Sequence, residues 1–319
     1  MESIGRKNMA LVFLCLIIVC NLHAQSSKRK RQVEVPDYYV HIKDVNYAGN
    51  DNPRQSLDIL WRKDKVEKKL PAIVFIHGGG FRNGSKERGI RKLDDFLKTG
   101  KYIGITINYR LSGEAKWPAQ IHDCKAAIRW IKGNAEKYGI DKDMIGVWGT
   151  SAGGHLVAML ALTTNKTELE GKVGNYLKES SAVTCAVDGF GPTDFLTMDK
   201  RSGKFVHNAP DSPESLLIGC PIQENKEKAK NASPLTWVRK NSRPMLIYHG
   251  SNDDVVIIEQ SEILYELLQK KKAEDIYFIK IDGGSHGVRH PLLTERITDF
   301  FNKYLHEENI DIISSVIDY

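Results

Sequence analysis

The apolar residues of this chain follow two spacings, and the two alternate along it. "PAIVFIHG" (71–78), "YIGITINYR" (102–110), "MIGVWG" (144–149), "VTCAVDGF" (183–190), "PMLIYHG" (244–250) and "IYFIKID" (276–282) are short runs dominated by apolar residues. Runs of that length, bounded by glycine or polar residues, predict strands buried on both faces. Between them apolar positions recur every three to four residues. Ile121, Ala127, Ile128 and Ile131 do so within 118–139, which predicts a helix ending before Gly139. Helices are likewise predicted over 152–162, 259–272 and 291–308. Such alternation predicts an α/β fold, a mostly parallel central sheet flanked by helices on both faces. Sites in these sheets form beyond the carboxyl ends of the strands, so the loops leaving the apolar runs are where chemistry is expected.

Two of those loops are rich in glycine. "GVWGTSAGGHL" (146–156) contains Gly149-Thr150-Ser151-Ala152-Gly153, a G-x-S-x-G between a predicted strand and a predicted helix. That context puts Ser151 on a sharp turn with its hydroxyl exposed. A serine hydroxyl is a poor nucleophile without a base, and the base needs a carboxylate to orient it. Of the ten histidines, His286 in "DGGSHGV" follows the last apolar run. Its rival His290 sits beside Pro291, where the last helix starts. "YHGSNDDVV" offers Asp253 and Asp254 after another run, and Asp253 is preferred. The chain order Ser151, Asp253, His286 is that of α/β hydrolases.

"FIHGGGFRNGS" (75–85) supplies what an attacking serine also requires. An oxyanion needs backbone N–H groups converging on one point, and only chain without side chains approaches so closely. Gly79, Gly80 and Ala152 are the expected donors. A phosphate-binding loop is excluded because neither GxxxxGK[ST] nor GxGxxG is present. His77 is expected to brace the glycine loop, His155 to be packed, and Asp194 to cap a local turn. Phe81, Trp117, Phe190 and Phe195 are candidate substrate contacts, with Trp237 as a further aromatic. Core packing is the alternative for each, since aromatic residues serve both.

The N-terminus adds a destination. Arg6 and Lys7 precede the apolar run Met9 to Cys20, and residues 21–24 end in alanine. This predicts a signal peptide over 1–24 and a secreted or periplasmic protein, with no stable membrane insertion after cleavage. An uncleaved anchor is the alternative, as is lipid attachment at Cys20, which the bulky Val19 disfavours. Residues 25–37 read as a basic linker, 38–310 as one domain and 311–319 as a C-terminal tail. The formal net charge is +6, but Lys28, Arg29, Lys30 and Arg31 carry four of those charges and the signal segment one. The remaining body is near neutral, which excludes nucleic acid as a partner. Of the five cysteines, Cys124, Cys185 and Cys220 remain after the signal, allowing at most one bridge and leaving a Cys185–Cys220 pair open. No spacing suits zinc, so no metal and no cofactor are expected. The oligomeric state is left open.

"HGGGF" (77–81), "NYRLS" (108–112), "WPAQIHDCKAAIRWI" (117–131), "GVWGTSAGGHL" (146–156), "FGPTDF" (190–195), "ASPLTWV" (232–238), "HGSNDDVV" (249–256) and "GGSHG" (283–287) together resemble the α/β-hydrolase superfamily. Within it the chain is similar to esterases related to hormone-sensitive lipase and to bacterial feruloyl or acetylxylan esterase-like carbohydrate esterases. The resemblance implies that Asp253 holds the acid position and that 192–240 forms a small cap. It implies a serine esterase acting on an acetyl or feruloyl ester, of a small molecule or of plant polysaccharide. The alternatives are a prolyl-oligopeptidase-like peptidase or amidase, a general short-chain carboxylesterase, and a non-catalytic binding protein of the same fold.

Overall fold

Leu70–Ile76 is buried at every position, as are Ile103–Ile107, Cys185–Gly189 and Met245–Gly250. Strands of this kind need cover on both faces, and the computed structural model, which describes residues 34–64, 69–201 and 203–319, shows how they obtain it. In chain order the elements are β1 (Tyr39–Asn46), β2 (Ser56–Arg62), β3 (Leu70–Ile76), α1 (Glu87–Lys98), β4 (Ile103–Ile107), α2 (Ala119–Gly133), α3 (Ala135–Tyr138), β5 (Ile140–Thr150) and α4 (Ala152–Leu162). There follow β6 (Cys185–Gly189), α5 (Pro213–Ile218), α6 (Lys226–Ala232), β7 (Met245–Gly250), α7 (Glu259–Lys270), β8 (Ile276–Asp282), α8 (Pro291–Leu305) and β9 (Ser315–Asp318). The strands form one sheet in the order β1-β2-β4-β3-β5-β6-β7-β8-β9 within the single body Pro36–Tyr319. β2 runs antiparallel to β1 and β4, and every other pairing is parallel.

β5 shows both covered faces. A Cβ on Gly146 would come 2.7 Å from the Phe301 ring of α8. One on Gly149, an odd number of residues further and so on the opposite face, would come 2.2 Å from the Gly153 carbonyl oxygen of α4. On the α8 side α1 packs alongside, with the Phe96 and Phe301 rings 5.6 Å apart. α4 is apolar all round and wholly buried, as a helix lying between a sheet and further structure must be.

Two expectations are corrected. Residues 311–319 are not simply a tail, because Ser315–Asp318 adds a ninth strand parallel to β8. The helix expected over 118–139 breaks at Asn134 into α2 and α3, the second closed by Gly139 in the left-handed region at φ 63°. β1 and β2 were not anticipated. β1 is a half-exposed edge strand whose apolar alternation is diluted by His41, Lys43 and Asp44. The signal segment and most of the basic linker lie outside the described residues.

Candidate active site

Four of the five consecutive strands β3-β5-β6-β7-β8 deliver the chemistry at one rim. β3 ends into the 77–80 loop, β5 into Ser151, β7 into the loop carrying Asp253, and β8 into the loop carrying His286. Parallel alignment puts all these ends on the same side of the sheet.

Ser151 sits between β5 and α4 at φ 57°, ψ −125°. Non-glycine residues rarely adopt this conformation, and the strain costs on the order of 1–3 kcal/mol that the surroundings must offset. Its N–H donates to the Gly189 carbonyl at 2.8 Å, and its own carbonyl accepts from His155 N–H at 3.0 Å. The turn is tight enough that a Cβ on Gly153 would fall 2.0 Å from the Ile76 carbonyl oxygen. A side chain at Gly149 or Gly153 is therefore excluded by backbone.

The Ser151 Oγ lies 3.1 Å from His286 Nε2, and His286 Nδ1 lies 2.7 Å from Asp253 Oδ2. Asp253 Oδ1 accepts from the Val255 and Val256 N–H groups at 2.8 and 2.9 Å. Oδ2 also accepts from His249 Nε2 at 3.1 Å. Burial pushes the Asp253 carboxyl up, but the hydrogen bonds and charges of His249 and His286 outweigh it and hold it well below the usual carboxylate range. An ionised Asp253 accepts only, so His286 Nδ1 carries the hydrogen and Nε2 is left to take a proton from Ser151. This arrangement can move the serine proton to imidazole while the carboxylate holds the ring. Asp254, the rival aspartate, is exposed, and its carbonyl accepts from Lys204 N–H. His290 caps α8, its Nδ1 accepting from Leu292 N–H at 3.2 Å, as its place beside Pro291 suggested.

The glycine loop passes close to Ser151. Gly79 and Gly80 have φ 123° and 58°, and a Cβ on Gly78 would come 3.1 Å from Ser151 Cβ. Among the described residues, the backbone N–H groups of Gly79, Gly80 and Ala152 donate to nothing, Ala152 because it opens α4. His77 braces the loop. Its ring stacks on Tyr109 at 4.4 Å, Nδ1 donates to the Gly78 carbonyl at 2.8 Å, and Nε2 accepts from Arg54 Nη2 at 3.2 Å. Burial, with Arg54 and Arg88 adding to it and the Gly78 carbonyl opposing, lowers His77 to about 3, so the ring stays neutral. Arg54 also donates to the carbonyls of Tyr109 and Gly84 at 3.2 and 3.0 Å.

The aromatic candidates divide. Phe81 and Phe195 have no exposure and pack with His155, whose ring lies 5.1 and 5.3 Å from theirs; they belong to the core and are not substrate contacts. His155 is packed as expected, its Nε2 donating to the Ala232 carbonyl at 2.6 Å. Phe190 is 4% exposed with its ring 4.7 Å from that of His286, so it backs the imidazole. Trp117 is half-buried and donates to Asn231 Oδ1 at 2.7 Å. It lines a cavity of about 330 Å³ with Pro118, Ile218, Glu227, Lys228 and Asn231, none of them part of the Ser151 arrangement. Asp194 caps a turn, accepting from Leu196 N–H at 3.2 Å. Cys124, Cys185 and Cys220 are all free.

Sequence reasoning gave no role to His249, Arg54 or Asp188. His249 Nε2 faces two acceptors, Asp253 Oδ2 and the Val256 carbonyl at 2.8 Å, and its Nδ1 meets Ser261 Oγ at 2.7 Å. The one available signal was spacing, since His249 ends β7 four residues before the acid. Asp188 lies at the end of β6 beside Gly149. Its Oδ1 accepts from Gly191 N–H at 3.0 Å, its Oδ2 is buried with no hydrogen-bond partner among the described residues, and burial pushes it up to about 7 against the Gly191 hydrogen bond.

The BD-FAE family model matches residues 57–268, which contain both glycine loops, Ser151 and Asp253. The chain belongs to the BD-FAE family. This BD-FAE chain is 35% identical to a solved structure described as a truncated form of a carbohydrate esterase from gut microbiota, with TM-score 0.79, covering 85% of this chain and 99% of that one. It is 32% identical to a bifunctional GH43-CE protein of Bacteroides eggerthii, with TM-score 0.78, over 85% of this chain and 36% of that one. Esterase LipC of Mycobacterium tuberculosis is 32% identical over 250 residues, 78% of this chain and 60% of that protein. The chain spans about three fifths of the length of the curated relatives it matches.

Proposed function

We propose that this chain is an exported serine esterase that hydrolyses acetyl or feruloyl-type esters on plant polysaccharide. The observation that carries the reading is the unbroken hydrogen-bonded path from Ser151 Oγ through His286 to Asp253, together with the Gly79, Gly80 and Ala152 N–H groups, which have no partner among the described residues. Ser151 attacks the acyl carbon while its proton passes to His286 Nε2. The resulting oxyanion takes hydrogen bonds from Gly79, Gly80 and Ala152, each such donor typically contributing about 10²–10³-fold. Collapse breaks the bond to the alcohol oxygen, which leaves with the proton from His286, and the acyl group stays on Ser151. Water then gives a proton to His286, attacks the acyl-enzyme, and releases the carboxylic acid and the free serine. Asp253 remains ionised throughout and balances the imidazolium.

The polysaccharide part of the reading draws on the two carbohydrate-esterase neighbours, and export draws on the Arg6–Lys7 and Met9–Cys20 pattern. Purified protein is to be assayed with p-nitrophenyl acetate, methyl ferulate, acetylated xylan fragments and an aminoacyl anilide. Turnover of the esters and not the anilide, abolished by Ser151→Ala, supports the proposal. Preference for the anilide would favour the peptidase reading, and full activity in Ser151→Ala would end the esterase reading.

A further inference from the structure

His207 lies in the 192–240 excursion between β6 and β7 and is 5% exposed. Both of its ring nitrogens face acceptors. Nδ1 is 2.8 Å from Glu214 Oε2, and Nε2 is 2.9 Å from the Val255 carbonyl oxygen. A carbonyl only accepts, so Nε2 carries a hydrogen. An ionised carboxylate also only accepts, so Nδ1 carries the other. With Glu214 as a carboxylate, the ring satisfies both acceptors only as the imidazolium.

The two ends of this link reach opposite sides of the candidate active site. Glu214 belongs to α5, whose first residue, Pro213, sits so close to Gly80 that a Cβ there would come 3.3 Å from its ring. Val255 donates its N–H to Asp253 Oδ1, so the peptides flanking Val255 are held by the catalytic acid candidate on one side and by His207 on the other. The segment 192–240 is also tied to the acid loop through Lys204 N–H donating to the Asp254 carbonyl, and to the α7 side through Thr193 and Asp194 N–H groups donating to Gln260 Oε1 at 2.9 and 2.7 Å.

We infer that His207 is a positioning residue: as an imidazolium it fastens α5, which backs Gly80, to the loop that orients Asp253, and so keeps the two halves of the site in register. This rests on the esterase reading for its effect on rate, though not for the link itself. The groups facing His207 are Glu214 from α5, Asp199 from the preceding turn, whose Oδ1 accepts the His207 N–H at 2.8 Å, and the Val255 carbonyl from the acid loop, with Phe205 as its ring neighbour. Burial lowers the His207 pKa, but the hydrogen bond and charge of Glu214, the Val255 carbonyl and Asp199 outweigh it and raise it. A raised histidine pKa means the link is complete at low pH and is lost as pH rises through the folded-state value. Rate therefore falls when His207 loses its proton.

The test is kcat/KM for an aryl acetate from pH 5 to 10, with hydrogen exchange of peptides covering 250–258 at each pH, corrected for intrinsic exchange. Wild type, Glu214→Gln and His207→Gln are compared, with folding checked by circular dichroism. We expect an alkaline limb in wild type and its movement about one pH unit lower in Glu214→Gln, the usual effect of removing an adjacent opposite charge. His207→Gln should lose the limb, lower the plateau about tenfold, and exchange at least tenfold faster in 250–258 at pH 7. Should His207→Gln not fold, Glu214→Gln and the wild-type pH series still decide. Unchanged exchange in a folded Glu214→Gln across the wild-type limb would overturn the inference. Faster exchange with no hydrolysis by any of the proteins would retain the link and reject the esterase reading instead.

Discussion

Replacing Asp253 with asparagine should silence the site without dismantling it. The carboxylate accepts four hydrogen bonds, two from the Val255 and Val256 peptides on Oδ1 and two from His286 and His249 on Oδ2. An amide offers one accepting oxygen and one donating nitrogen in the same space. The peptide N–H groups cannot reverse, so the oxygen stays with them and the new NH₂ faces the two histidines. His249 loses little, since its Nε2 hydrogen already has the Val256 carbonyl at 2.8 Å. His286 has no alternative partner for Nδ1 and must adopt the other tautomer, placing its hydrogen on Nε2, toward Ser151. It then cannot accept the serine proton. The expected loss in kcat is on the order of 10⁴-fold, the size associated with a triad histidine held in the wrong tautomer, or about 5.5 kcal/mol. KM should change little, because Asp253 is buried and touches no substrate. The assay is aryl acetate turnover at pH 7 beside a thermal melt that confirms folding, with Asp254→Asn as the comparison. A folded Asp253→Asn protein retaining more than a tenth of wild-type kcat would refute the reasoning, as would a larger loss in Asp254→Asn.

Three further substitutions probe the frame around the site. Asp188→Asn removes a buried carboxyl raised to about 7; a raised acid stabilises the fold when protonated and costs stability as pH rises from about 4 through 7, by up to about 4 kcal/mol. The variant should therefore melt higher than wild type at pH 8, with the gap closing toward pH 4, and a gap independent of pH would contradict this. Arg54→Gln withdraws the donor to His77 Nε2 and to the Gly84 carbonyl, and should lower kcat about 10²-fold through misplacement of the 77–80 loop, read by steady-state kinetics with Ser151 labelling by a phosphonate slowed in parallel. Asp123→Ala removes the carboxylate that Arg110 grips at 2.7 and 2.9 Å, leaving it only the Ala119 carbonyl at 3.5 Å, and removes the acceptor of the Gln55 amide; it should cost about 3–5 kcal/mol in urea unfolding.

The elements that carry the chemistry were legible in the sequence because they are locally consistent. A buried parallel strand is apolar throughout, and a strained strand-to-helix turn needs glycine where backbone meets backbone, so β3, β5 and the Ser151 turn announce themselves. β1 and β9 did not. Both lie at the edges of the sheet, half in solvent, where His41, Lys43 and Asp44 or an exposed Val316 blur the alternation. The supporting residues were hidden for a different reason. His207 meets Val255 across 48 positions and Arg54 meets His77 across 23, and no local spacing encodes a contact made only when strands are stacked in their final order. Aromatic identity was the least informative signal, since Phe81 and Phe195 look in sequence like Phe190 but pack against His155, away from the imidazole of His286.

The central claim is that Ser151 is activated by His286. Incubation with a fluorophosphonate probe, followed by intact mass and peptide mapping, tests it directly. One adduct per chain is expected, on Ser151, forming in step with loss of aryl acetate hydrolysis and slowed at least a thousandfold in His286→Ala. An adduct on another residue, or labelling of Ser151 at the wild-type rate in a folded His286→Ala protein, would contradict it.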